Sequence, residues 1–452
     1  MIYNKIRGLL ISPVVIYLLA DIIVKCMQFL LMPAASHFLS IPEYAQLTIF
    51  LALLTALVPM VSLSSESAYA IFYNQELGLN KKRLFIDSVH VATTGLIIFS
   101  FVNILLSLID DNLLFSVVSL KYQMTKMLLI VFFEYFMNLY LLSNRLNFDK
   151  VGYFCWFILF FAVKFFVGLG AIYLFESSDA YLNSILLLNF TFFIIIVSRV
   201  FGLVGFFGEV FLFNRDSYVR LIKYSTIILP VSIFSVINSM IDKIYITSLL
   251  PLKELANYTS VFLLAGAIQV VILAMNKSYM PSLLKLYSLH GYLSLDKIKN
   301  RTKSLMLVSY LFFIFCIIIL PFVFKYIYSD KIEFSYNVFV VLSLSFLFNT
   351  LYILYTNVLS LEEQTAKYKM FGFISATILN VPLSYILTLK FGILGAALST
   401  MLSCIFAASI LYSLVNRRVK RHYLLKDSLI FVFVASTTAI FFVVLNTQIK
   451  IF

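Results

Sequence analysis

The chain has 452 residues, 62% of them hydrophobic and 12% charged, with a formal net charge of +13; its mean hydropathy is +1.00. Soluble domains run near about 45–50% apolar and 25% charged, so a water-soluble globule of this composition is excluded and a bilayer is the solvent that suits it. The excess of Lys and Arg does not point to nucleic acid, because membrane proteins gather these residues in their cytoplasmic loops.

Lys5 and Arg7 precede an apolar run that continues through Asp21 and Lys25 to about Pro33. With no convincing small-residue cleavage site, it reads as a retained first membrane helix rather than a signal peptide. At roughly 20 apolar residues per crossing, thirteen spans are expected: 9–35, 45–71, 85–109, 124–143, 151–175, 184–213, 225–250, 258–280, 304–328, 337–360, 370–389, 393–416 and 427–446. With the N-terminus placed inside, 23 of the 34 Lys and Arg fall in inside segments and seven in outside segments. That bias predicts a cytoplasmic N-terminus and, after the thirteenth span, a C-terminus outside. The longest polar stretch, from Pro281 to about Lys303, is expected to lie as a helix on the membrane surface.

Two outside turns are alike. Leu39-Ser40-Ile41-Pro42-Glu43-Tyr44-Ala45 opens the second span, and Leu250-Pro251-Leu252-Lys253-Glu254-Leu255-Ala256-Asn257-Tyr258 opens the eighth. Their offset of 214 residues maps the first six spans onto the next six. The expected organisation is an N-terminal lobe over 1–214, a C-terminal lobe over 215–416, and a basic segment with a thirteenth helix over 417–452. Two six-helix lobes around a central cavity is a common transporter plan.

Ionisable groups inside spans carry the functional signal, since each costs several kilocalories if it faces lipid. Asp21 and Lys25 lie four apart on one helical face and can pair. Glu66 lies deep in the second span; Glu134, Lys164 and Arg199 lie in the fourth, fifth and sixth, and Asp242 and Lys243 in the seventh. Neither Lys164 nor Arg199 has an acid one turn away, which suggests a watery cavity or an anionic ligand. Internal ion pairs that merely hold helices together, and snorkelling of Glu66, are the plainer alternatives. Gly202, Gly205 and Gly208 suggest close helix packing rather than a phosphate loop, as no Lys-Ser/Thr follows.

Cys26, Cys155, Cys316 and Cys404 sit in apolar runs with no ligand spacing, and the four His are scattered, so neither a metal site nor a disulfide is expected. No G-x-S-x-G, H-E-x-x-H or Walker loop occurs. The expectation is a transporter and not an enzyme, with no bound cofactor and no ATP site.

Several motifs together resemble the polysaccharide-exporter branch of the multidrug/oligosaccharidyl-lipid/polysaccharide flippase superfamily, most of all the O-antigen flippases of the Wzx type. They are Pro33 followed by Leu39-Ser40 and Glu43-Tyr44-Ala45; Leu229-Pro230 and Ile241-Asp242-Lys243-Ile244-Tyr245-Ile246; and Ala256-Asn257-Tyr258 with Pro281 closing the eighth helix. Asn380-Val381-Pro382-Leu383 and Phe391-Gly392-Ile393-Leu394-Gly395-Ala396-Ala397-Leu398-Ser399-Thr400 complete the set. Ala45 stands where the family usually has Gly, and the thirteenth span exceeds its twelve-helix core. The resemblance implies a MATE-like fold and the transfer of an undecaprenyl-diphosphate-linked oligosaccharide, a lipopolysaccharide or related repeat unit, to the outer leaflet. It also implies alternating access, H⁺ or Na⁺ coupling, and membrane lipids, a polysaccharide polymerase and chain-length machinery as partners. Lys25, Lys164, Arg199 and Lys243 are then candidates for the diphosphate, and Asp21, Glu66, Glu134 and Asp242 for the coupling ion. A cation-coupled multidrug exporter of the same superfamily is the nearest rival. A membrane polysaccharide polymerase is the enzymatic one, disfavoured by short outside loops.

Overall fold

The computed structural model describes residues 13–73, 79–108, 120–147, 149–202, 214–290, 295–361, 368–419 and 425–449, together with 205 and 208. Among them every regular element is a helix. They are α1 (Pro13–Phe38), α2 (Ile41–Val61), α3 (Ser65–Phe72), α4 (Leu79–Leu108), α5 (Leu120–Leu146), α6 (Lys150–Phe175), α7 (Ser178–Val200), α8 (Arg215–Leu249), α9 (Leu252–His290), α10 (Leu295–Ile327), α11 (Tyr336–Leu359), α12 (Lys369–Val419) and α13 (Leu425–Ile449). Eleven are long and apolar enough to cross a membrane, so the chain is a multi-pass membrane protein. The extra C-terminal helix expected beyond twelve is α13.

Helix starts follow the capping rules. Ser40 accepts the Glu43 N–H at the head of α2 and Asp149 the Gly152 N–H at the head of α6 (2.9 Å). The two positions paired by the 214-residue offset do similar work. Glu43 accepts both the N–H and the hydroxyl of Ser178 (2.7 and 2.6 Å), and Asn257 accepts the N–H of Glu333 (2.9 Å).

Four expectations are corrected. The span drawn at 45–71 is broken: α2 stops at Val61, and α3 starts only after Leu63 and Ser64, both left-handed at φ 49° and 58°. Four residues, Ser62 to Ser65, supply three hydroxyls here, and Ser62 Oγ takes the Ser64 N–H; such side chains compete with the helical ladder. The span drawn at 184–213 ends as a helix at Val200, where Gly202 (φ 72°) closes it with an N–H bond to Ser198 O (3.0 Å). Gly202, Gly205 and Gly208 have open space where a Cβ would stand, so close packing does not explain them. Finally, α9 runs past Pro281 to His290, and α10 begins at Leu295. The polar stretch around 281–303 is thus mostly an extension of two spanning helices.

The described chain forms two compact units, Met1–Ile233 and Phe234–Phe452, and the division falls inside α8. The first has an aromatic core in which Phe136, Phe160, Tyr135 and Tyr181 are fully buried; Phe136 and Phe193 meet edge to face at 4.6 Å. In the second, α11 is innermost, with 83% of its apolar window buried against 22% for α13. Tyr355–Ser428 and Tyr310–Thr438 hydroxyl bonds, both 2.7 Å, and a Lys303–Asp427 ion pair at 2.9 Å hold α13 in place.

α12 contains the two spans expected at 370–389 and 393–416. It is interrupted at Gly392 (φ 59°, ψ −141°), a conformation open to glycine alone. Beyond the break, a Cβ on Gly395 would lie 1.9 Å from the Leu387 carbonyl oxygen. In an unbroken helix, residues eight apart would be about 12 Å apart, so the arms fold back on each other. Gly395→Ala is expected to force the arms apart and to cost about 1–3 kcal/mol. A thermal melt of the purified variant checks this; an unchanged midpoint would show that the arms have slack.

Candidate functional site

The second unit gathers its polar side chains around one acid. Asp242, on α8, is 4% exposed. Its Oδ1 accepts the Ser384 hydroxyl at 2.9 Å; its Oδ2 accepts the Tyr258 hydroxyl at 3.1 Å and the Thr400 hydroxyl at 2.5 Å. Ser384 and Thr400 stand eight residues before and after Gly392, so the α12 hairpin is what lets both reach one carboxylate. One turn away on α8, Asn238 Oδ1 accepts from Asn380 Nδ2 at 3.1 Å, and two turns away Phe234 O accepts from the Thr377 hydroxyl at 3.1 Å. Asn380 is fully buried, and its Oδ1 has no donor.

Among the described residues the hydrogen bonds to Asp242 come from neutral hydroxyls and no Lys or Arg makes a direct ion pair with it, although the charge of Lys243 acts on it at longer range. Lys243, its sequence neighbour, points elsewhere. Its ammonium donates to Ser239 O at 2.9 Å and lies 4.3 Å from the Phe262 ring centre. Consecutive helical residues are about 100° apart, so adjacency in sequence does not make the pair an ion pair. Asp242 is thus a buried acid with hydroxyl donors and no directly bonded cation, the arrangement in which a buried charge is costly.

The first unit treats its buried acid differently. Glu134 on α5 pairs with Lys164 on α6 at 2.7 Å, with 15% and 17% of their side chains exposed. Asn189 on α7 reaches the same Glu134 oxygen at 3.4 Å and Ile130 O at 3.1 Å, and the Lys164 ammonium lies 5.6 and 5.9 Å from the Phe160 and Phe161 rings. The absence of an acid one turn from Lys164 was therefore a poor guide, because the acid arrives from another helix. Glu134 is spoken for by a tethered cation.

Of the remaining candidates, Glu66 is close enough to Glu134 to feel its charge, and Lys25 and Arg199 stand apart. Glu66 stands in the first turn of α3, just after the break, with its Oε1 buried and without a donor; Ser65 beside it bonds the Tyr135 hydroxyl at 2.5 Å. Glu134 and Arg145 are the charges that act on Glu66. Lys25 is exposed and donates to Gln28 at 3.1 Å; the Asp21 side chain lies outside the described residues. Arg199 is exposed at the end of α7 with its guanidinium 5.2 Å from the ring centre of Trp156. Ser384, Thr400, Tyr258 and Asn380 escaped sequence reasoning as site residues. The signals available were that Tyr258 closes the Ala256-Asn257-Tyr258 motif and that Asn380 and Thr400 stand in the motifs on either side of Gly392. Among the described residues no group of three or more His, Cys, Asp or Glu is placed to hold a metal.

No protein-family model matches the sequence, and no curated protein matches it. Solved structures do. A chain described as the lipid II flippase MurJ in an inward closed conformation aligns with a TM-score of 0.66 at 14% identity, covering 93% of this chain and 91% of that one. An inward-facing multidrug resistance MATE family transporter of the MOP superfamily gives 0.62 at 14% identity (88% and 94% covered), and its outward-facing counterpart 0.61 at 14% (90% and 95%). At such identity the likeness establishes the fold: this all-helical chain has the fold shared by MurJ and the MATE transporters.

Proposed function

We propose that this protein is a membrane transporter of the MOP superfamily, not an enzyme. In this reading it carries an undecaprenyl-diphosphate-linked oligosaccharide, an O-antigen or related repeat unit, across the bacterial inner membrane by alternating access, with its N-terminus cytoplasmic. The observation that supports flipping most is the likeness over nearly the whole chain to a protein described as a lipid II flippase. The sequence resemblance to the Wzx-type flippases supplies the choice of saccharide. Lys25 and Arg199, both exposed, are the cations assigned to the diphosphate; among the described residues Lys25 donates to Gln28 and Arg199 lies against Trp156. Lys164 is held by Glu134 and Lys243 lies against Phe262, which makes them weaker candidates.

Asp242 is the residue assigned to the coupling ion. The oxygens of Asp242, Ser384 and Thr400 form a hard, neutral-to-anionic set of the kind that suits H⁺ or Na⁺ and not a soft metal, and the donor-free Asn380 Oδ1 belongs to a residue one turn before Ser384 on the same helix. A bound cation would cancel a buried charge. The hydroxyls of Ser384, Thr400 and Tyr258 can turn from donating to presenting lone pairs, so these residues can serve both the loaded and the empty state.

A strain lacking the gene is expected to lose surface polysaccharide and to accumulate lipid-linked repeat units on the cytoplasmic side. Arg199→Ala and Lys25→Ala are expected to lower surface polysaccharide at unchanged protein abundance; wild-type levels in both would rule out the cation assignment. The MATE likeness supports a second reading, a cation-coupled multidrug exporter. That strain would then show raised drug sensitivity with its polysaccharide intact.

A further inference from the structure

The intramembrane acids of the two units, Glu134 and Asp242, are compensated in different ways. Each unit also carries a fully buried asparagine whose Oδ1 has no donor, Asn189 in the first and Asn380 in the second. Among the described residues only the first unit adds a directly bonded cation. Lys164 Nζ lies 2.7 Å from Glu134 Oε2. Asn189 Nδ2 donates to Ile130 O at 3.1 Å and to the same Glu134 oxygen at 3.4 Å, so two acceptors fix which end of the amide is the oxygen. The ring centres of Phe160 and Phe161 are 5.6 and 5.9 Å from Nζ, inside cation–π range. Glu134 comes from α5, Lys164 and both rings from α6, and Asn189 from α7. Three helices thus build the place where the ammonium sits.

An ammonium has three N–H groups, and among the described residues Glu134 takes the one hydrogen bond that Nζ makes. The rest of its charge is met by rings, which attract a cation without a directed bond. A lysine head is a compact point charge. A carboxylate oxygen, an uncommitted amide oxygen and two rings would serve a small free cation in the same way, and the side chains of Glu134 and Lys164 keep 15% and 17% of their exposure, so the place is not sealed. We propose that the Glu134 pocket is a monovalent-cation seat whose resident occupant is Lys164 Nζ. The tether keeps the seat filled whatever the ion concentration outside, so the first unit takes up no ion. On the reading that Asp242 binds the coupling ion, coupling then draws on the second unit. The seat itself rests on Glu134, Lys164 and Asn189 and stands apart from that reading.

Removing the lysine and keeping the carboxylate should make the seat ion-dependent. The readout is the thermal midpoint of the purified full-length protein in NaCl, in KCl and in choline chloride, at one pH and one ionic strength. Asp242→Asn is the background, so that an ion at Asp242 does not enter the reading. In that background alone the midpoint is expected to be the same in all three salts. With Lys164→Met added, which keeps an apolar stem and removes the charge, Na⁺ or K⁺ should raise the midpoint by about 2–4 °C over choline. With Glu134→Leu added as well, the response should vanish. The proposal is overturned if Asp242→Asn/Lys164→Met ignores both ions or responds to pH alone, or if Asp242→Asn by itself already responds. Should the Lys164→Met protein not survive purification, Lys164→Gln, whose amide can still donate to Glu134, takes its place. Recovery of that protein in NaCl or KCl and not in choline supports the seat, and equal loss in all three overturns it. A wild-type midpoint that ignores Na⁺ and K⁺ beside a responsive Lys164→Met variant supports the seat and counts against Na⁺ at Asp242.

Discussion

Asp242→Asn is expected to silence the protein while leaving it folded in the membrane. Asparagine has the same outline, its Oδ1 can still take the Ser384 hydroxyl, and the Tyr258 and Thr400 hydroxyls can turn to accept from its Nδ2. Three hydrogen bonds survive in altered polarity; the negative charge does not. A charge-assisted contact is worth about 1.5–3 kcal/mol, which sets the expected loss on the order of tenfold to a hundredfold. The measurement is surface polysaccharide restored to a deletion strain, normalised to the amount of protein in the membrane. Tyr258→Phe, which removes one donor and keeps the ring, should lose far less. Wild-type restoration by Asp242→Asn would remove Asp242 from the coupling role.

The largest effect expected on stability is in the first unit. Among the described residues, Lys164→Ala leaves Glu134 in a partly buried site with the long Asn189 contact as its remaining hydrogen bond. Stripping one partner from a buried pair costs about 3–5 kcal/mol, and the residual exposure here brings the expectation down to about 2–3 kcal/mol. Replacing both partners with apolar residues of similar size, Glu134→Leu with Lys164→Met, should recover most of that, because no charge is then left stranded. Thermal melts of the purified variants in one detergent give the comparison. If the double replacement were as unstable as Lys164→Ala, the pair would have a role that simple neutrality does not replace.

These two acids show what was legible in the sequence. The spans were, because a run of about 20 apolar residues has few alternatives. The boundaries were less so. The broken segment at Ser62–Ser65 and the early end of α7 at Gly202 are local competitions between a side chain or a glycine and the helical ladder, hidden inside a strongly apolar background. The intramembrane charges were also visible as a set, since the bilayer makes each one improbable. Their partners were not. Lys164 finds Glu134 thirty positions back on another helix, and Asp242 is bonded by hydroxyls 142 and 158 positions away. Serine and threonine are common in membrane helices and mostly bond their own backbone, so nothing in their spacing distinguishes Ser384 from its neighbours.

The most direct test is to reconstitute the purified protein in liposomes that hold an undecaprenyl-diphosphate-linked oligosaccharide in both leaflets. The readout is how much of the saccharide an added, membrane-impermeant glycosidase can cleave. The account predicts that cleavage passes from the outer-leaflet share to nearly the whole pool with the wild-type protein, and stops at the outer-leaflet share with Asp242→Asn. Cleavage that stops at the outer-leaflet share with active wild-type protein under an imposed H⁺ or Na⁺ gradient would contradict it.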